Sequence, residues 1–165
     1  MSVPSHPRGA GLAAPQLRHA FRLDVDLAPP LDIQQTPQGH RRVIPITGGV
    51  FHGERIRGLV LPGGADWNVV RHDGVVHLWA RYTLQTDDGC LISILNEGLQ
   101  RGPTDTMARI LAGQPFDTAE WYSRTMARFE VAGERYKWLN EAIFVGDLQI
   151  PSRPDQVSIE IYEVC

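Results

Sequence analysis

Asp66 stands directly before Trp67 and just after Gly63-Gly64-Ala65. An indole beside a carboxyl disfavours the ionised form and raises its pKa, which suits a general base. The competing reading is an aspartate that caps the preceding turn. Further along, Tyr82 alternates with Leu78, Ala80 and Leu84, and Asn96 with Ile92 and Ile94. Trp138 and Asn140 alternate with Tyr136, Ala142 and Phe144. Polar groups that share parity with apolar ones point to the interior of a sheet, where an unpaired hydroxyl or amide costs about 1–3 kcal/mol. Several of them on one interior make either a hydrogen-bonded core or a polar pocket. In a pocket, Asp66 would move a proton, and Tyr82 or Arg128 would hold a developing oxyanion. Asn96 and Asn140 would orient the substrate between apolar walls formed by Trp67 and Trp138. The plain alternative for Arg128 is a surface ion pair with Glu130 or Glu134.

Other chemistries find less support. The six histidines are dispersed, without the close spacing of a chelate; His72 and His77 approach each other only across a turn. No metal or cofactor is therefore expected. There is no Gly-x-Ser-x-Gly elbow, and Ser123, after Trp121-Tyr122, has no identifiable partner. Cys90 follows a turn glycine, and it and Cys165 read as free thiols of a reducing cytoplasm. Gly48-Gly49 and Gly63-Gly64 fit no phosphate-binding spacing and precede no helix pattern, so they read as bends or bulges.

The elements that must position these residues are strands. Leu17–Asp26 alternates apolar and polar and stops before Pro29-Pro30; a polar loop is expected from there to His40. Arg41–Thr47 follows, with Pro45 marking an edge or bulge, then Glu54–Leu61. Trp67–Arg71 and Val75–Gln85 flank His72-Asp73-Gly74, and the next pair flanks Asp87-Asp88-Gly89, two strong hairpin signals. Arg124–Val131 and Arg135–Val145 flank a weaker turn at Ala132-Gly133, and Val157–Tyr162 is a last strand. One short helix is expected over Thr104–Leu111, with Thr104 as N-cap, and a capped turn at Asp117–Glu120. Connections this short exclude parallel crossovers. The pattern predicts an all-β, closed antiparallel β-barrel of lipocalin or calycin type with one short inserted helix. Residues 16–165 form that domain, behind a disordered tail at 1–15.

Composition narrows the function classes. The chain has 165 residues, 42% hydrophobic and 21% charged, with a net charge of −3 and no basic cluster. A nucleic-acid partner needs such a cluster. No apolar run nears the roughly 20 residues that cross a bilayer, and the N-terminus lacks the pattern of a secretion signal.

Gly48-Gly49, Pro62-Gly63-Gly64-Ala65-Asp66-Trp67, Arg81-Tyr82-Thr83-Leu84, Thr86-Asp87-Asp88-Gly89 and Tyr136-Lys137-Trp138-Leu139-Asn140 together resemble the family called domain of unknown function 3237. The resemblance runs from about Leu17 to Val164. It implies a compact β-barrel, often a homodimer, with Asp66-Trp67, Tyr82, Asn96, Arg128 and Trp138-Asn140 lining a pocket; it implies no family-wide reaction. Trp79 and Leu91, on expected outer faces, fit a dimer interface. The function expected is that of a cofactor-independent enzyme of isomerase, cyclase, lyase or hydrolase type. Its substrate would be a small oxygenated, partly apolar metabolite. The alternatives are a non-catalytic binder or carrier and a filled structural barrel.

Overall fold

The computed structural model describes residues 13–103 and 105–165. Ten strands occur among them: β1 (Leu17–Leu27), β2 (Leu31–Thr36), β3 (Gly39–His52), β4 (Arg57–Val60), β5 (Ala65–Val70), β6 (Val76–Thr86), β7 (Leu91–Arg101), β8 (Tyr122–Val131), β9 (Phe144–Leu148) and β10 (Gln156–Val164). All pairings are antiparallel, and β1 pairs with both β10 and β3, which closes the sheet. β4 and β5 lie end to end between β3 and β6, so the ring has eight strand positions. The closed antiparallel barrel expected from the strand pattern is what forms.

The two Asp-Gly hairpins stand where expected. Gly74 and Gly89 have φ of 84° and 85° in the turns that join β5 to β6 and β6 to β7, a conformation that costs glycine little. The segment β3 carries the barrel's sharpest change of partner. Its first half pairs with β2 and its second half with β1. Pro45 falls between these two ladders, where its missing N–H breaks no strand pair. Gly49 has φ of 133°, and a Cβ there would stand 2.2 Å from the Asp24 carbonyl oxygen. The glycine pair is thus a corner within β3 and not a phosphate loop.

Three sequence expectations need correction. The polar stretch before His40 contains β2, an edge strand exposed along almost its whole length, so no buried face imprints an apolar alternation. The strand expected over Glu54–Leu61 shrinks to β4. The segment expected as a strand over Arg135–Val145 begins instead as a 3-10 helix, Glu134–Leu139, and only Phe144 onward is strand. Tyr136 and Leu139, three apart, are the residues that this helix buries, as its three-residue turn dictates. The alternation of Tyr136 and Trp138 imitated a strand. The inserted helix, α1 (Thr106–Leu111), is present, with Asp105 at its start and no side-chain cap bond; Thr104 lies outside the described residues. The capped turn at Asp117 is present, its carboxylate accepting from the Ala119 N–H at 2.9 Å.

The two ends of the barrel are filled differently. At one end Phe21, Phe51, Phe129 and Phe144 make a chain of tilted and edge-on contacts with centroids 5.1–6.0 Å apart, and the 3-10 helix closes over them through Tyr136, Trp138 and Leu139. At the other end the inward positions are smaller or polar, and a cavity remains. Gly49→Ala is expected to destabilise the fold by at least ~2 kcal/mol through combined strain and clash. Gly63→Ala, where a Cβ meets nothing within 4 Å, should cost less. Urea unfolding midpoints measure the difference.

Candidate functional site

The cavity has a volume of about 360 Å³ and opens between the Ala28–Pro30 and Pro151–Pro154 segments. Its walls are mostly aliphatic, from Val25, Ile44, Leu78, Val157 and Ile159 among others. Into this apolar space project Arg42, Asp66, Asn68, Tyr82, Asn96 and Thr125. A few polar groups thus converge in an otherwise apolar enclosure.

Asp66 is held on both oxygens. Pairing of β5 with β6 covers Ala65–Asp66 and Val69–Val70 but is interrupted between them. There the Trp79 N–H donates to Asp66 Oδ1 at 2.8 Å. Asn68 Nδ2 donates to Asp66 Oδ2 at 3.2 Å, and Arg42 Nη2 donates to Asn68 Oδ1 at 2.7 Å. The guanidinium thus fixes which way the amide faces, and the amide fixes the carboxylate. Burial raises the Asp66 pKa above the ordinary aspartate value. The Trp79 N–H, Asn68, and the charges of Arg42 and His77 act against burial and only partly offset it.

Tyr82 and Asn96 are diagonal neighbours on β6 and β7, both almost wholly buried. Tyr82 Oη and Asn96 Oδ1 have no hydrogen-bond partner, nor do Arg42 Nε and Thr125 Oγ1. Burial pushes the Tyr82 phenol far above its ordinary pKa; the nearby Asn96 side chain opposes this and the Asp66 charge adds to it. Tyr82 therefore stays protonated, a donor held in reserve.

Of the residues singled out in the sequence, Asp66, Tyr82 and Asn96 come together here and four do not. Trp67 points outward, since its neighbours Asp66 and Asn68 take the inner face of β5 and successive side chains alternate; its ring packs edge-on against Trp79, 5.6 Å away. Arg128 is on the outer face of β8, exposed, with Glu97 at 3.9 Å in place of Glu130 or Glu134. Trp138 belongs to the closed end, packed on Phe144 and covered by the Arg55 guanidinium 4.0 Å from its ring centroid. Asn140 clamps β8: its Nδ2 donates to the Val131 carbonyl at 2.7 Å, and its Oδ1 accepts from the Val131 N–H at 3.1 Å. The amide there takes the place of a strand partner. Arg42 and Asn68 were missed, although both were legible by parity: Arg42 alternates with Ile44 and Ile46, and Asn68 with Asp66.

A family model described as "Protein of unknown function (DUF3237)" matches residues 15–164. The chain belongs to this family. A UPF0311 protein of Rhodopseudomonas palustris is 34% identical over 149 residues, 90% of this chain and 96% of the relative. A crystal structure of a β-barrel-like protein from Acinetobacter baumannii is 33% identical, with a TM-score of 0.81 over 95% of this chain and 100% of that one. A crystal structure of an enzyme from Penicillium herquei is 20% identical, with a TM-score of 0.69 over 99% of this chain and 100% of that one, a likeness of fold. No helix among the described residues is long and apolar enough to cross a membrane, and Cys90 and Cys165 are unbridged.

Two stability measurements follow from the cavity. Tyr82→Phe removes a buried hydroxyl without a partner and should leave the free protein as stable as before or up to about 2 kcal/mol more stable. For Asp66, a folded-state pKa above the unfolded one adds stability at low pH that is lost as pH rises through the folded value. Asp66→Asn does not titrate, so its stability relative to the wild type should rise between about pH 3 and pH 7. Denaturant titrations at both pH values test the sign.

Proposed function

We propose that the protein is a cofactor-independent enzyme that moves a proton on a small, oxygenated, partly apolar metabolite held in the barrel cavity. The observation that carries this reading is the pairing, in one apolar-walled space, of a carboxylate of raised pKa with a phenol that lacks a partner. A core built only for stability leaves few such groups. Perturbed titratable groups converging in a cleft are the mark of acid–base sites. Asp66 is the base, Tyr82 the donor to the oxygen on which charge develops, and Arg42 takes the electrostatic role that the sequence suggested for Arg128. Asn68 orients the base. The enzyme from Penicillium herquei supports catalysis on this fold only as an analogy.

Isomerisation, cyclisation, lyase and hydrolytic reactions all need this acid, base and oxyanion donor. The carrier reading uses the same contacts without turnover. The two separate when the protein is incubated with a metabolite extract and products are followed by mass spectrometry. Asp66→Asn and Tyr82→Phe should each abolish product formation while ligand affinity changes by less than about tenfold. A change in affinity with no product in the wild type supports the carrier instead. Because Asp66 acts ionised, the rate should rise with pH along a limb above the ordinary aspartate range. Tyr82, protonated throughout, should add no alkaline limb near neutrality. Arg128→Ala should leave the rate unchanged.

Cytoplasmic residence and a homodimer belong to the same proposal. Unbridged cysteines suit a reducing compartment. Val50, Leu59 and Leu91 are exposed along one outer row that crosses β3, β4, β6 and β7, a face suited to self-association. The wild type should elute as a dimer and a Leu59→Glu, Leu91→Glu double variant as a monomer. A monomeric wild type on light scattering rejects the dimer.

A further inference from the structure

A single row of paired residues runs across the cavity wall. Asp66 on β5 is opposite Ala80 on β6, Ala80 is opposite Asn96 on β7, and Asn96 is opposite Ala127 on β8. Strands lie about 4.8 Å apart, so Asp66 and Asn96 are separated at their Cα atoms by about 10 Å, with only a methyl group between them. Leu78 and Tyr82, two residues to either side on β6, stand above that methyl. Ala80 is half-buried where its flanking inward neighbours are buried, because it faces the cavity. It is the floor of a depression walled by Asp66, Asn96, Leu78 and Tyr82.

Charge in the cavity is balanced. Arg42 and Asp66 face each other through Asn68. Arg153 at the mouth is paired with Asp155 at 2.7 Å and with Asp26 at 3.5 Å. The wall thus carries one cation and one carboxylate, and an anion seated on Ala80 would lie against Asp66, with Arg42 held beyond Asn68.

We propose that Ala80 is the seat of the substrate and sets its size, and that the substrate is a neutral compound carrying two oxygen functions, a hydroxyl and a carbonyl, within two or three carbons of each other. One function lies against Asp66 and the other against the Tyr82–Asn96 pair, with the joining carbons on the Ala80 methyl. This rests on the enzymatic reading of the cavity and deepens it. A hydroxyl donates to the carboxylate, and a carbonyl accepts from the Tyr82 hydroxyl. Each meets a group that no neighbour in the chain satisfies in full. A molecule with one oxygen leaves the other wall unpaired, which is the discrimination that buried polar groups impose.

The test uses four probes: the aldol of benzaldehyde and acetone (a β-hydroxyketone), benzylacetone, the alcohol obtained by reducing benzylacetone, and phenylbutyrate. Binding to the full chain is followed by amide NMR shifts at Ala80 and Asn96. The aldol should bind at least about tenfold more tightly than either one-oxygen neutral probe, and phenylbutyrate should bind weakest. Ala80→Val should weaken all three neutral probes, and the folded state of the variant is read from the same spectra. Asn96→Leu should reduce the aldol to the affinity of the alcohol, the probe that lacks the carbonyl. A one-oxygen probe binding as tightly as the aldol, or phenylbutyrate doing so, overturns the proposal but leaves a ligand site. If no probe at millimolar concentration shifts a cavity resonance, both the proposal and the cavity as a ligand site fall.

Discussion

A closed barrel admits one residue in two from each strand to its interior, and the volumes of those residues alone decide whether the interior is solid. Eight strand positions enclose a space that large side chains just fill. Here the phenylalanines of β1, β3, β8 and β9 fill it at one end. Toward the other end the inward residues include Ala80, Thr125 and two glycines, Gly98 and Gly146, on which the Thr125 side chain packs so closely that a Cβ on either would collide with it. The cavity therefore follows from a gradient of side-chain volume along the barrel axis. It needs no gap in the sheet.

That gradient also sets the electrostatics. Arg42, Asn68 and Asp66 lie on the wall formed by the first half of β3 and by β5. Their hydrogen bonds run in one direction, from guanidinium to amide to carboxylate, so reversing the Asn68 amide would set donor against donor. The carboxylate's other oxygen takes the Trp79 N–H, which the interrupted β5–β6 ladder leaves without a carbonyl. Asp66 is thus anchored to the main chain as well as to a side chain. Its orientation depends on backbone geometry that closure of the barrel imposes.

Wherever strands were long and faced the core, their inward residues could be read from the sequence. Leu78, Tyr82 and Leu84, and Ile92, Ile94 and Asn96, share one face because period two is strict there. The same rule contradicted the joint placement of Asp66 and Trp67 in one pocket, since adjacent residues of a strand face opposite ways. The errors at Trp138 and Asn140 have a different origin. A 3-10 helix of six residues presents apolar groups at spacings that overlap those of a strand. Nothing local distinguishes the two until Asn140 is seen to bind the end of β8. Arg128 fell outside because parity on β8 puts Ala127 and Phe129 inside, a count that Ala127 and its small side chain left inconspicuous. β2 was invisible because a strand exposed along nearly its whole length carries no apolar alternation.

The solid end and the hollow end also bear on each other energetically. Each buried polar atom without a partner costs about 1–3 kcal/mol, and four of them belong to residues that line the cavity: Arg42 Nε, Tyr82 Oη, Asn96 Oδ1 and Thr125 Oγ1. A small domain has only about 5–15 kcal/mol of net stability, so such groups persist only where the rest of the barrel is well packed. The aromatic plug supplies that packing, and Arg55 over Trp138 and the Asn140 clamp on Val131 hold its cover in place. Residues that looked like site residues in the sequence thus serve the site indirectly. They stabilise the closed end strongly enough for the open end to keep its polar groups unpaired.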